Sequence, residues 1–254
     1  MPPGVILASN HVSWLDPPVV GGTFRRSRVR TLAKRELFYG SYPITPASEI
    51  LEWLAPRLEQ VSGSLLQAED ELASVNMIIG ASFGGVPALT ATSGPGLSLM
   101  TEGLGLAVAS ETPVTVVNVM RGGPTTGMPT RPSQSDLMQA RWGAHGDHPV
   151  IVLTPASVAE IWSETVRAFN LSERYRVPVV VLYDEVVGHL IETVELPAPG
   201  SLDLVERRWA SGPPQEHRPY AAGEDGVPEV FRGRFERFEA EGPQAAELLR
   251  LRLA

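Results

Sequence analysis

Asn10-His11 is followed five residues later by Asp16, and a histidine steadied by a carboxylate can act as general base toward a hydroxyl. Gly80-Ala81-Ser82-Phe83-Gly84 is a formal G-x-S-x-G match, a pattern that needs a strand before the serine and a helix directly after it. Here Glu69–Ile79 has helical spacing and Pro87 follows closely. The plainer reading is therefore small residues packing a helix against a sheet, although Asp184 and His189 would complete a triad by order alone. The acidic run Glu69-Asp70-Glu71 is either a ligand-facing carboxylate set or a helix's first turn, where the macrodipole favours each acid by about 0.3–1 kcal/mol. Arg121 precedes Gly122-Gly123-Pro124; its guanidinium suits two-pronged contact with a carboxylate, the alternative being a charge that closes a strand end. His145 and His148 beside Asp147 could ligate a metal, but Gly146 and Pro149 suggest a turn and no further ligand is evident, so no metal is expected.

The elements that must position these groups alternate. Apolar, largely β-branched runs occur at Ala88–Thr92, Val114–Met120, Val150–Thr154 and Val177–Tyr183, separated by helical spacing over Leu97–Glu111, Ser135–Ala144 and Ala156–Arg176. Strands alternating with helices of this length predict βαβ units. The expected fold class is α/β, a doubly wound, mainly parallel sheet over residues 37–192. Thr45-Pro46 reads as a helix start, a capping hydroxyl followed by proline, with Ile50, Leu51, Leu54 and Leu58 on one stripe behind it. After about residue 192 the pattern decays into segments such as Ser211-Gly212-Pro213-Pro214, with a short helix expected at Gln244–Leu253.

Composition narrows the classes. The 254 residues are 43% hydrophobic, enough for a packed core, and 24 Gly with 23 Pro promise many tight turns. With no cysteine, the sequence holds no disulfide, thiolate zinc site or protein-ligated iron–sulfur cluster. A net charge of −8 and pI near 5.2 argue against a dedicated nucleic-acid binder. Arg25, Arg26, Arg28, Arg30, Lys34 and Arg35 form the one basic run; a solvated face is the plainer reading, contact with phosphate or an anionic membrane the functional one. No apolar run approaches the roughly 20 residues of a membrane span, and the opening MPPGVILASNH lacks a charged signal-peptide start. No stable membrane insertion is expected, and the expected location is cytoplasmic.

Two resemblances sharpen this. GVILASNHVSWLDPPVV and VRTLAKRELF, within residues 1–37, resemble the first block of glycerolphosphate acyltransferases, but the E-G-T-R block that binds the acceptor phosphate in that family is absent. From about Leu37 to Pro197, YPITPASE at 42–49, QAEDE at 67–71, TATSGPG at 90–96 and RGGPTTGMPT at 121–130 look like the α subunit of 2-oxoacid:ferredoxin oxidoreductases, the 2-oxoglutarate type most of all. RRWASGPPQEHRPYAAGEDGVP continues the likeness more weakly. Each motif is a strand-end loop or helix start, where backbone N–H groups and carboxylates meet ligands.

The resemblance implies a pyrimidine-binding domain for thiamine diphosphate, shared with a separate β subunit that would hold Mg²⁺ and the iron–sulfur cluster. It implies that Glu71 bonds the aminopyrimidine, favouring the imino form that takes the cofactor's C2 proton. Tyr42, Pro43, Thr45, Ser93 and Gly94 would line the cofactor. Thr45 would also face the substrate carbonyl, and Arg121 would bind the 2-oxoacid carboxylate with hydroxyls from Thr125, Thr126 and Thr130. The implied partners are the β subunit, ferredoxin, a 2-oxoacid and coenzyme A, and no nucleic acid. The expected division is an acyltransferase-like segment at 1–36, the pyrimidine-binding domain at 37–192, and a linker and tail at 193–254 in place of the family's C-terminal domain. The strand and helix that precede YPITP in the family are read as missing. Alternatives are a 1-acylglycerol-3-phosphate acyltransferase-like fragment and a folded but inactive binding module.

Overall fold

The structure is a computed structural model that describes residues 5–8, 37–83, 85–198 and 201–205. Its centre is a parallel sheet of six strands in the order β3-β2-β4-β5-β7-β6. The strands are β2 (Phe38–Ser41), β3 (Ser64–Gln67), β4 (Ala88–Thr92), β5 (Thr115–Met120), β6 (Ile151–Leu153) and β7 (Val179–Asp184). A separate antiparallel pair joins β1 (Val5–Ala8) to β8 (Glu192–Glu195). The helices are α1 (Ser48–Leu58), α2 (Glu71–Phe83), α3 (Gly94–Ala109), α4 (Leu137–Trp142), α5 (Val158–Tyr175) and the one-turn α6 (Glu185–Gly188).

Hydrophobic periodicity explains the layers. β5 is buried at all six positions and β7 at five of six, as expected of interior strands covered on both faces. Alternate residues serve opposite cores. Ala88, Val116, Met120 and Leu182 pack with Val75 and Ile78 of α2 and Leu97, Met100 and Leu104 of α3. Leu89, Val117, Val119 and Val181 pack on the other face with Leu58 of α1 and Ala168 of α5. α2 and α3 meet closely at Gly103, where an added Cβ would come within 2.6 Å of Val75 Cγ1.

Two details of the sequence reading change. A strand does precede YPITP: β2 runs directly into Tyr42 and pairs with β3 and β4. Its sequence, FYGS, is only four residues long and sets two strand-favouring aromatics against a glycine and a serine, so it carries little strand signal of its own. Thr45 does not cap a helix. α1 begins at Ser48 with Ala47 at its N-cap position and no side-chain cap, because Pro46 and Ala47 turn first and the Thr45 carbonyl has a different partner, described below. Asn10, His11, Asp16, the basic run at 25–35, Gly84 and the helix expected at Gln244–Leu253 lie outside the described residues.

Candidate active site

Because the six strands are parallel, everything that follows a strand emerges at one edge. The chain leaves β2 through α1 toward β3, and leaves β4 through α3 toward β5 on the other side. α1 and α3 lie on opposite faces. A crevice therefore opens between the carboxyl ends of β2 and β4, the switch point at which open α/β sheets bind ligands. The loop after β2 carries Tyr42, Pro43 and Thr45, the start of α2 carries Glu71, and the turn after β4 is Ser93-Gly94. The loop after β5 begins at Arg121. The edge thus gathers every candidate named for cofactor or substrate.

The three acids at the start of α2 have separate fates. Glu69 is exposed. Asp70 caps the helix, its Oδ1 accepting from the Ala73 N–H at 2.7 Å. Glu71 is 5% exposed and turned inward against the first turn of α3. A Cβ built on Gly96 would sit 2.7 Å from Glu71 Oε1 and would overlap Thr92 Oγ1, so only glycine admits the carboxylate there. Among the described residues, no group hydrogen-bonds that carboxylate. Ser93 is fully buried at the N-cap of α3, and its Oγ also has no partner.

Arg121 is 5% exposed and ties two loops together. Its Nη1 donates to the Thr45 carbonyl at 2.5 Å and its Nη2 to the Thr126 carbonyl at 2.7 Å, while its Nε is buried without a partner. Burial pulls the guanidinium below its ordinary range, and the carboxylates of Glu71, Asp136 and Glu185 oppose that pull. The loop closes on itself through Gly122 N–H to the Arg131 carbonyl at 2.8 Å and Met128 N–H to the Gly122 carbonyl at 2.7 Å. That closure leaves Thr125, Thr126 and Thr130 exposed, with Thr125 in the left-handed region at φ 55°. Pro43 and Thr45 are exposed as well, and Tyr42 is half-buried. The candidate set therefore divides into a buried part, Glu71, Ser93, Gly94 and Arg121, and an exposed rim.

Three further residues join the buried part. Asn118, in the middle of β5, donates from Nδ2 to Asp136 Oδ2 at 2.9 Å. The Asp136 carboxylate abuts Gly94, where an added Cβ would lie 3.2 Å from Oδ2. Glu185, first residue of α6, is 5% exposed with Oε2 unpartnered, and burial pushes its carboxyl up. Two of the three left a trace in the sequence: an amide inside an apolar strand, TVVNVM, and an acid directly after VVVLYD.

Other candidates fall elsewhere. Ser82 lies in the last turn of α2, fully buried, and its hydroxyl donates to the Pro113 carbonyl at 2.6 Å, which fits helix packing and not a nucleophile elbow. His189 stands 3.5 Å from Glu49, and Asp184 caps α6, so neither faces Ser82. His148 Nδ1 is 2.8 Å from its neighbour Gly146's carbonyl oxygen, and among the described residues no group of three or more His, Asp or Glu could hold a metal. A pocket of about 110 Å³ lined by Ile50, Val119, Ile161, Tyr183 and His189 includes none of the buried candidates. Burial pushes the Tyr183 phenol up to about 12 although its hydroxyl shares a hydrogen bond with Thr165. Among the described residues no helix is long and apolar enough to cross a membrane.

The family model described as pyruvate flavodoxin/ferredoxin oxidoreductase, thiamine diphosphate-binding, matches residues 32–237. The chain belongs to this family. It is 52% identical over 193 residues to the 2-oxoglutarate synthase subunit KorA of Methanothermobacter thermautotrophicus, covering 76% of this chain and 51% of that one. It is 38% identical over 200 residues to the 2-oxoglutarate oxidoreductase subunit KorA of Mycobacterium tuberculosis, covering 79% and 30%. Among solved structures, the 2-oxoglutarate:ferredoxin oxidoreductase of Magnetococcus marinus, with 2-oxoglutarate, coenzyme A and succinyl-CoA bound, superposes with a TM-score of 0.69 at 41% identity. That likeness covers 89% of this chain and 37% of that chain. The chain spans about half the length of the first relative, 51%.

Proposed function

We propose that this chain is the α-subunit portion of a 2-oxoacid:ferredoxin oxidoreductase that converts a 2-oxoacid, 2-oxoglutarate by preference, and coenzyme A into acyl-CoA and CO₂. Two electrons pass to ferredoxin. Residues 37–192 form the domain that receives the pyrimidine half of thiamine diphosphate. A partner β subunit supplies Mg²⁺, the diphosphate contacts and the iron–sulfur cluster.

One observation carries the reading. Glu71 is a buried carboxylate with no hydrogen-bond partner among the described residues, held against Gly96 at the sheet's switch point. Its oxygens are acceptors with no donor on them, so the position suits a donor-bearing ligand entering the crevice. The residues present fit the pyrimidine ring: an acceptor at Glu71, a second unpartnered polar atom at Ser93 Oγ, and the half-buried Tyr42 beside the crevice. When bound, thiamine diphosphate supplies the electron sink that decarboxylation of a 2-oxoacid requires. Glu71 then holds a proton at the ring nitrogen. Arg121 offers the substrate carboxylate its remaining N–H groups, and the Thr45, Thr125, Thr126 and Thr130 hydroxyls complete the exposed rim.

Reconstitution tests this. The chain is mixed with a family β subunit, thiamine diphosphate, Mg²⁺, coenzyme A and 2-oxoglutarate, and reduction of a dye acceptor is followed. Substrate-dependent reduction is expected. Failure to form a complex on size exclusion would favour an inactive binding module, and acyl transfer from acyl-CoA to lysophosphatidate by the chain alone would overturn the ranking.

A further inference from the structure

The parallel register pairs Met120 of β5 with Asp184 of β7. The next residues, Arg121 and Glu185, therefore leave adjacent strands at the same height and enter the same edge. Both are 5% exposed. They do not form an ion pair: the Arg121 terminal nitrogens are held by the Thr45 and Thr126 carbonyls, and Glu185 Oε2 has no partner. Two more carboxylates, Glu71 and Asp136, also act on Arg121. One guanidinium thus faces three carboxyl groups, and a substrate anion arriving beside it would add a fourth negative charge in a buried setting. Uncompensated buried charge of that kind is strongly unfavourable.

We propose that Glu185 is the charge-compensating residue of this site: as a 2-oxoacid carboxylate settles beside Arg121, the Glu185 carboxylate takes up one proton from solvent. The charge then balances: one negative group is gained and one neutralised, an O–H bond forming at Glu185 as solvent hydronium gives up its proton and leaves as water. Glu185 suits the part better than its neighbours. Asp136 is already committed to the Asn118 amide, and Glu71 is placed against α3 for the cofactor. Burial favours the neutral form of Glu185 and the adjacent Asp184 adds to that, whereas His189, Arg121 and Arg131 favour the charged form. His189 is itself 3.5 Å from Glu49 on α1, which leaves its charge partly answered elsewhere. Glu185 is a positioning residue, acting through the field on Arg121.

The proposal rests on the oxidoreductase reading, and the experiment separates their failures. In the reconstituted complex, proton uptake linked to binding makes KM for 2-oxoglutarate rise by up to about tenfold per pH unit once Glu185 is ionised in the free protein, with kcat level. In Glu185→Gln that slope disappears, and KM stays at the low-pH value of the unaltered complex. Infrared difference spectra on adding 2-oxoglutarate to the unaltered complex should show a new protonated-carboxyl stretch that Glu185→Gln lacks. Dye reduction with an identical KM slope in both proteins, or a carboxyl signal that survives the substitution, overturns the role of Glu185 while leaving the oxidoreductase reading intact. No 2-oxoglutarate-dependent reduction and no carboxyl signal in the unaltered complex overturns both.

Discussion

Gly96→Ala adds a single methyl at the point where α3 meets Glu71, and the outcome can be worked from distances. The new Cβ would lie 2.7 Å from Glu71 Oε1 and 2.8 Å from Glu71 Cγ, against ordinary contact at 3.4 Å or more, so the carboxylate must withdraw by about 0.7 Å. Thr92, fully buried beneath it, would have to move as well. Glycine-to-alanine changes within helices otherwise stabilise, by roughly 0.5–1 kcal/mol. Overpacking of a closed site costs about 1–3 kcal/mol. The overlap should win, giving a net loss of about 0–2.5 kcal/mol and a melting decrease of about 2–4 °C for each kcal/mol lost. Gly80→Ala is the control. Gly80 is exposed on α2 with nothing within 4 Å of an added Cβ, so that variant should be stabilised. For a catalytic carboxylate, a shift approaching 1 Å reduces turnover by on the order of 10²-fold. Calorimetric melting of both variants, thiamine diphosphate affinity of the complex and dye reduction are the assays. If Gly96→Ala melts like Gly80→Ala and keeps full cofactor affinity and rate, Glu71 does not occupy a tight seat and the argument from its burial collapses.

Glu71→Gln preserves shape but removes the ionisable group, and C2 proton exchange of bound thiamine diphosphate, read by NMR, should slow by about 10²-fold or more; Glu69→Gln should leave it unchanged, since Glu69 is exposed. Arg121→Lys keeps charge but can serve only one of the two loop carbonyls that the guanidinium joins. Losing one charge-assisted bond of roughly 1.5–3 kcal/mol should lower both kcat/KM and melting temperature, and an unchanged melting curve would mean the loops hold without it. Ser82→Ala should cost about 1–3 kcal/mol in stability because it strands the buried Pro113 carbonyl, yet leave dye reduction per folded complex intact; a selective loss of rate would revive the nucleophile reading.

What was legible in the sequence depended on length and burial. β5 and β7, buried on both faces and rich in valine, announced themselves, as did α3 ahead of β5 and α5 ahead of β7. β2 and β3 are four residues each and carry FYGS and SLLQ, too short and too mixed to separate from loop. α5 was marked by helical spacing over Ala156–Arg176, and the structure adds a side-chain cap at its start, where Ser157 Oγ accepts from the Glu160 N–H at 3.2 Å. The motif loops were visible, but their gathering at one edge follows from parallel topology, and the ligand they imply came through resemblance to a family. Asp136 and Glu185 were not singled out, since one is brought to Gly94 by a long loop and the other to Arg121 by strand register. Neither proximity is written in local sequence.

Arg121 also explains why the buried and exposed halves of the site must act as one. Two hydrogen bonds fix its guanidinium to the loop after β2 and the loop after β5, the segments that carry Thr45 and Thr125–Thr126. Its charge is simultaneously set against Glu71 on α2, Asp136 before α4 and Glu185 on α6. In a buried setting such charges interact far more strongly than they would in water. A change in protonation or occupancy at any of those carboxyls therefore alters the hold on both loops, and a shift of either loop alters the field at Glu71. The strands that carry these residues are packed on both faces and cannot slide independently. Adjustment is confined to side chains and to the rim, where Pro43, Thr45, Thr125 and Thr126 are exposed. On the proposed reading, a substrate held at that rim and the proton placed at Glu71 would be two ends of one electrostatic unit, with the packed sheet edge as its frame.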